Sequence, residues 1–414
     1  MKTETTTPKV NRWLIVLGTI IVQMGLGTIY TWSLFNQPLA DKFGWGLNSI
    51  SITFSITSFA LAFATLFVGK IQEKIGIRKL VMISGIVLGL GLILSSTVSS
   101  LWLIYLLIGV VVGFADGTAY ITSLSNLIKW FPNRKGLVSG ISVGAFGTGS
   151  LIFKYVNTAF LGSFGVSQTF LFWGLIAMSL IVVGSFLLRE AVDQPTAATA
   201  ANKGMERNFT AREMLRTKEA YLLFVIFFTA CMSGLYLIGI VKDAGVKLAG
   251  LDVATAANAV AMVAIFNTTG RIILGALSDK VGRMKVVAGA ICATAISVLA
   301  LSYLPLNTAI FFACVSVIAF CFGGNITVFP AIVADYFGLK NQSKNYGIIY
   351  QGFGLGALTG SFLSVLLGGF NVTFMVIAAL CGISFIIALF ITPPAIPSEN
   401  NNKAMKLRSQ HNPS

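Results

Sequence analysis

The sequence predicts an all-α membrane protein in which twelve transmembrane helices form two pseudo-symmetric six-helix bundles. Three observations predict it. Of 414 residues, 56% are hydrophobic and only 10% are charged, against about 25% charged in a soluble domain. Apolar segments of about 20 residues recur along the chain, each long enough to cross hydrocarbon as a helix. A charged loop in the first half returns, at a fixed offset, in the second.

In order, spans are expected at 13–35, 48–69, 79–98, 101–125, 136–160 and 168–188, then at 220–241, 253–277, 284–304, 308–331, 345–368 and 372–392. The polar backbone must be satisfied within each segment, so the spans should be helices, and the alternating pattern of a membrane barrel is missing. The 42 glycines suit helices that pack closely through small residues. Residues 1–12 read as a cytoplasmic segment and 13–188 as the first bundle. A cytoplasmic linker, 189–219, holds Pro195 and an Ala/Thr run, and 220–392 reads as the second bundle. The tail 393–414, with Pro393, Pro394, Pro397 and an Asn run, is expected to be disordered. The N-terminus has no small-residue cleavage site and reads as a retained first span.

The formal charge is +15, but its placement decides its meaning. No basic stripe interleaves with exposed aromatics, so nucleic acid is not an expected partner. With both termini in the cytoplasm of a cell whose inner membrane holds the protein, 24 of the 29 Lys and Arg residues fall on the cytoplasmic side. Three (Lys42, Lys242 and Lys247) fall on the outer side, and two (Lys154 and Arg271) lie inside spans. That asymmetry sets the orientation. The five cysteines lie unpaired in apolar spans and read as small buried hydrophobes. The single histidine, His411, lies in the polar tail. Metal sites, cofactors and a nucleophile–base constellation are therefore not expected, and the chain does not read as an enzyme.

The halves repeat. Gly69, Glu73, Lys74, Gly76 and Lys79 of the first loop are matched, 206 residues later, by Gly275, Asp279, Lys280, Gly282 and Lys285, with Arg78 answered by Arg283 one position out of step. The same offset maps Trp130-Phe131 onto Tyr336-Phe337, and an offset of 207 maps Phe146-Gly147-Thr148-Gly149 onto Phe353-Gly354-Leu355-Gly356. Internal repeats of this kind imply two bundles rocking about a site near the membrane midplane. Gly69, Glu73, Lys74, Arg78, Gly275, Asp279, Lys280 and Arg283 are then candidate gating residues, and the same charges also serve as topology determinants.

These two loops resemble the signature loops of the major facilitator superfamily. More specific stretches are Asn11-Arg12-Trp13, Tyr30-Thr31-Trp32-Ser33-Leu34, Lys129-Trp130-Phe131-Pro132-Asn133-Arg134-Lys135-Gly136 and Lys344-Asn345-Tyr346-Gly347. Together they resemble the oxalate/formate antiporter family and related monocarboxylate transporters, over nearly the whole chain, and most of all bacterial members linked to pyruvate or lactate.

An ionisable group inside a span is costly and needs a reason. Arg271, in the eighth span, offers a fork of donors that suits a carboxylate. The resemblance implies that an arginine here binds the substrate's carboxylate, whereas its nearness to the helix end would also let it snorkel to the surface. Asn267 lies one turn earlier on the same face. Oxalate carriers of the resembling family have a lysine shortly after Asn-Tyr-Gly, and the matching position here is Phe353. One cation with an apolar partner suits a monocarboxylate better than oxalate, unless Lys154 supplies a second cation. The resemblance further places Tyr30, Tyr120, Phe146, Phe322 and Tyr350 around the site. A tyrosine expected in span 10 is replaced by Ile326, with Asn325 beside it.

Asp116 is the carboxylate placed deep inside a span. It reads either as a proton-exchanging group tuned by Lys154 or as half of a fixed Asp116–Lys154 pair. The expected function is secondary active transport of a small monocarboxylate with a proton, by a functional monomer. An oxalate/formate-type exchanger is the alternative. A non-transporting carboxylate sensor is more remote, because the linker and tail are short for a signalling domain.

Overall fold

The computed structural model describes residues 11–191, 208–366 and 370–395. Residues 1–10, most of the expected linker (192–207) and the expected disordered tail from 396 onward lie outside the described residues. Everything regular in the rest is helical. The helices are α1 (Arg12–Phe43), α2 (Leu47–Ile75), α3 (Ile77–Ser95), α4 (Leu101–Trp130) and α5 (Lys135–Leu187). They continue with α6 (Lys218–Ala249), α7 (Val253–Val281), α8 (Arg283–Tyr303) and α9 (Thr308–Phe337). The last are α10 (Gln342–Ile349), α11 (Gln351–Leu366) and α12 (Phe370–Phe390).

The helix starts follow from local chemistry. The side chain of Asn11 accepts a hydrogen bond from the Trp13 N–H at 3.0 Å, and Thr217 does the same for the Ala220 N–H at 3.4 Å, each satisfying a donor that the first turn leaves free. The turns between α2 and α3 and between α7 and α8 both pass through a glycine at positive φ, Gly76 at 77° and Gly282 at 106°. Side chains rarely adopt that backbone, which explains why the glycine recurs in both copies of the loop.

The burial pattern is that of a membrane protein. Large apolar residues such as Trp102 and Phe390 stand 78% exposed around the outside, whereas Gln23, Asp116, Asn157 and Arg271 are buried. Hydrocarbon suits the former, and neighbouring helices satisfy most of the latter.

Ten helices among the described residues are long and apolar enough to cross a membrane, against the twelve expected, and two local features separate the numbers. Helix α5 has 53 residues, roughly 80 Å at 1.5 Å per residue and far more than a bilayer's thickness. It is broken at Gly165, where φ is 73°. Both sides of that break pack on the same part of α1. A Cβ at Gly149 would strike the Met24 backbone, while one at Gly25 would meet Ile181 at 2.9 Å. The chain therefore doubles back at Gly165. Second, the eleventh expected span is divided at Tyr350 into α10 and α11, of 8 and 16 residues.

The N-terminal and C-terminal helices meet along two seams. On one, α5 lies on α7 through facing glycines: a Cβ at Gly140 would meet the Arg271 carbonyl oxygen at 2.8 Å, and one at Gly275 the Gly136 carbonyl oxygen at 2.8 Å. The Ser139 hydroxyl donates to the Thr327 carbonyl of α9 at 2.6 Å beside it. On the other, α2 lies on α10 and α11. The Thr65 hydroxyl donates to the Gly347 carbonyl at 3.0 Å, and the Gln351 amide to the Ala62 carbonyl at 2.7 Å. Both seams start at the end carrying the two signature loops and run inward to the candidate site.

Candidate functional site

Arg271 does not snorkel. Its residue is 3% exposed, and a guanidinium Nη1 donates to the Val143 carbonyl of α5 at 2.7 Å. Glycine makes room on two sides. A Cβ at Gly147 on α5 would come within 3.4 Å of that guanidinium, and one at Gly323 on α9 within 3.2 Å of the arginine's Cγ. The arginine thus bridges from α7 to the opposite half. Asn267, one turn earlier, is buried but turned to α9, its amide donating to the Ala319 carbonyl at 3.4 Å.

Aromatic rings from both halves surround this cation. Tyr30 meets Phe146 edge-on at 5.0 Å, and Phe146 meets Tyr120 at 5.7 Å. Tyr120 lies 5.5 Å from Tyr350, which stacks on Phe353 at 5.1 Å with the rings 9° from parallel. Tyr30 and Tyr120 both interact electrostatically with Arg271. Five of the expected aromatic positions, Phe353 among them, therefore form one continuous cluster. Phe322 is also buried, packed so that a Cβ at Gly234 of α6 would overlap its ring. Asn325 and Ile326 are buried on α9, and the Asn325 Oδ1 has no hydrogen-bond partner among the described residues.

Local backbone explains how Tyr30 and Tyr350 reach the cluster. Tyr30 lies on a 3₁₀ stretch of α1, Thr28–Phe35. That tighter winding is held from outside: Trp173 Nε1 donates to the Thr28 hydroxyl at 2.8 Å, and Asn157 Nδ2 to the Thr31 hydroxyl at 2.8 Å. Tyr350 occupies the break between α10 and α11. Asp116 lies one turn before Tyr120 on α4, just after a π-helical stretch, Tyr105–Val112, a feature that often marks functional helices.

Asp116 and Lys154 are not brought together. Asp116 is fully buried, neither of its carboxyl oxygens has a hydrogen-bond partner among the described residues, and its charge acts electrostatically on Tyr30. Lys154 is exposed on α5, its Nζ over the Tyr155 ring at 5.8 Å. A fixed Asp116–Lys154 pair is therefore not formed, and Lys154 does not supply a second cation to the cluster. Neighbouring spans were correctly identified, but which face each helix turns inward depends on packing that span order does not set.

Sequence reasoning missed several residues of the site. Tyr346, quoted within a motif but not assigned a place, is buried 5.4 Å from Tyr350. Phe227 of α6 lies 5.9 Å from Tyr350. The carbonyl of Val143 carries no sequence signal at all. The Tyr346 signal was its four-residue spacing from Tyr350, which puts both on one helix face.

At the loop end, Asp279 accepts from the backbone N–H groups of Gly136 and Leu137 at 2.9 and 2.8 Å, and from Arg283 at 2.9 Å. Arg283 also pairs with Asp335 at 2.6 Å, and Lys135 of α5 reaches the same aspartate at 2.7 Å. On the other seam Glu73 pairs with Lys344 at 2.6 Å, and Gly69 lies against the Lys344 side chain. Arg78 turns to the Leu188 carbonyl within its own half, and Lys74 and Lys280 are exposed. Asp335, Lys135 and Lys344 complete the seams and were not among the expected gating residues.

With this geometry in hand, the chain matches the Major Facilitator Superfamily over residues 15–248 and 246–411. It is 45% identical, over 84% of its length and 86% of the relative's, to the uncharacterized MFS-type transporter YhjX of Escherichia coli (strain K12). It is 29% identical, over 92% of both, to the oxalate:formate antiporter of Oxalobacter formigenes. Among solved structures, the proton:xylose symporter XylE bound to 6-bromo-6-deoxy-D-glucose superposes with a TM-score of 0.74 at 14% identity. That match covers 95% of this chain and 98% of XylE, a likeness of fold alone.

Proposed function

We propose that this multi-pass membrane protein, which belongs to the major facilitator superfamily, is a secondary active transporter of a small monocarboxylate such as lactate or pyruvate, coupled to a proton. In this reading it lies in the inner membrane, acts as a monomer and has both termini in the cytoplasm, so the signature-loop end faces inward. Family and fold are those of transporters, not enzymes.

One observation carries the substrate class. Arg271 is buried among tyrosines from both halves, and the position that could supply a second cation is Phe353, stacked on Tyr350. A guanidinium fork matches one carboxylate, and an aromatic wall suits a short carbon body. A second carboxylate would face Phe353 with its charge unmatched, which is costly in a site poor in water. Asn267, Phe322 and Asn325 shape the C-terminal side in this reading.

Alternating access follows from the seams. Arg271 belongs to α7 and its carbonyl partner, Val143, to α5. Rocking the halves apart at the loop end separates the two and redirects the guanidinium's donors. Asp116 is the proton site in this reading: its carboxyl has no hydrogen-bond partner among the described residues and interacts electrostatically with Tyr30, as Arg271 does. Lys154 has no part in it.

A second reading, exchange of one organic anion for another, is favoured by the similarity to the oxalate:formate antiporter. Binding separates the two. Arg271→Gln is expected to weaken lactate or pyruvate binding roughly 100-fold or more while leaving a monodisperse, folded protein. Phe353→Lys is expected to gain oxalate binding. Full binding by Arg271→Gln would remove the substrate assignment, and tight oxalate binding by the unaltered protein would favour the exchanger.

A further inference from the structure

On the outer surface of the C-terminal half, α7, α8 and α9 leave a groove of about 610 Å³. Its walls are apolar, among them Phe266, Leu277, Val286, Val317 and Phe320. On α7 it runs from Val281 back to Phe266, roughly 22 Å at 1.5 Å per residue, enough to cross the hydrocarbon of one leaflet, about 15 Å. Gly289 widens it, since a Cβ there would meet nothing within 4 Å. The charge lies at the loop end, where Lys285 forms part of the lining.

The electrostatics of that end are unequal. The acids of the region are engaged: Asp279 by Arg283 and the start of α5, Asp335 by Arg283 and Lys135. Lys285 and Lys280, which adjoins the lining residue Val281, are both exposed. An apolar slot at least one leaflet deep, with the exposed Lys285 in its lining at the loop end and the exposed Lys280 next in sequence to Val281, has the shape and charge of a site for a lipid whose head is an anion.

We propose that this groove binds an anionic phospholipid, its acyl chain between α7, α8 and α9 and its phosphate on Lys285 and Lys280. The lipid then braces the α7–α8 loop, which also presents Asp279 and Arg283 to the seam. A zwitterionic lipid brings its own cation to the two lysines and is held less well. The pseudo-symmetric counterparts of these lysines, Lys74 and Lys79 on the first loop, provide a matched control with the same change in charge.

The test is native mass spectrometry of the full chain in neutral detergent, titrated with dioleoyl phosphatidylglycerol or dioleoyl phosphatidylcholine. The unaltered protein is expected to retain one phosphatidylglycerol with a preference of roughly tenfold or more over phosphatidylcholine. Lys280→Gln with Lys285→Gln should bring that preference close to one. Gly289→Phe, which fills the groove, should lower retention of both lipids, while Lys74→Gln with Lys79→Gln should leave the preference intact. Equal retention of the two lipids by the unaltered protein would overturn the proposal. So would an equal loss in the Lys74/Lys79 variant, or a dimer mass abolished by Gly289→Phe, which would make the groove an interface between copies.

Discussion

The two copies of the signature loop start from the same pattern and do different work. Asp279 and Glu73 occupy equivalent positions 206 residues apart. Asp279, with a side chain 15% exposed, accepts from two backbone N–H groups at the start of α5 and from Arg283. Glu73, one methylene longer, is 64% exposed and makes one ion pair, with Lys344. A carboxylate at a helix N-terminus is stabilised by the N–H groups and by the dipole behind them, whereas an exposed ion pair contributes about 0–1 kcal/mol. The α5–α7 seam therefore holds the loop end closed more strongly than the α2–α10 seam does. Sequence symmetry does not guarantee energetic symmetry; the shorter acid reaches a backbone that the longer one does not.

The largest expected effect comes from removing the stronger contact. Asp279→Asn should favour opening at the loop end by about 2–3 kcal/mol, since it weakens the two charge-assisted hydrogen bonds that cross the seam to the N–H groups of α5. Spin labels at Lys74→Cys and Lys340→Cys, both exposed positions, would report the change as a longer distance distribution.

Next come the paired glycines. A Cβ at Gly275 would meet backbone, the Gly136 carbonyl oxygen at 2.8 Å, whereas one at Gly69 would meet the movable side chain of Lys344. Gly275→Ala should therefore destabilise the closed seam by about 1–3 kcal/mol, and Gly69→Ala by clearly less, in the same distance measurement. Equal effects would contradict the asymmetry.

The smallest effect is expected for Glu73→Gln, at or below about 0.5 kcal/mol, and even that should fade as salt is raised. A shift as large as that of Asp279→Asn would mean the two loops share the load equally.

Much of this was legible in the sequence because it rests on local rules. Gly76 and Gly282 recur because both turns need positive φ, and the spans show in hydropathy because lipid sets their composition. Arg271 stood out because an arginine within a span needs a reason, and its surroundings bear directly on whether it snorkels. Other features depend on which face of a helix turns inward. Asp116 and Lys154 lie on neighbouring spans, yet one is buried near Tyr30 and the other points outward. Asp335 gave no signal because its partners, Lys135 and Arg283, are far from it in sequence and Lys135 comes from the other half. The doubling back at Gly165 was expected from span lengths, whereas the division of the eleventh span at Tyr350 was not.

The most direct test of proton-coupled monocarboxylate transport is the flux of labelled lactate or pyruvate into proteoliposomes, with and without an inward proton gradient, in the unaltered protein and in Asp116→Asn. Uptake driven by the gradient, unaffected by oxalate and uncoupled from the gradient in Asp116→Asn, is the expected result. Flux that needs oxalate or formate inside the vesicles and ignores the proton gradient would contradict it and identify the protein as an exchanger.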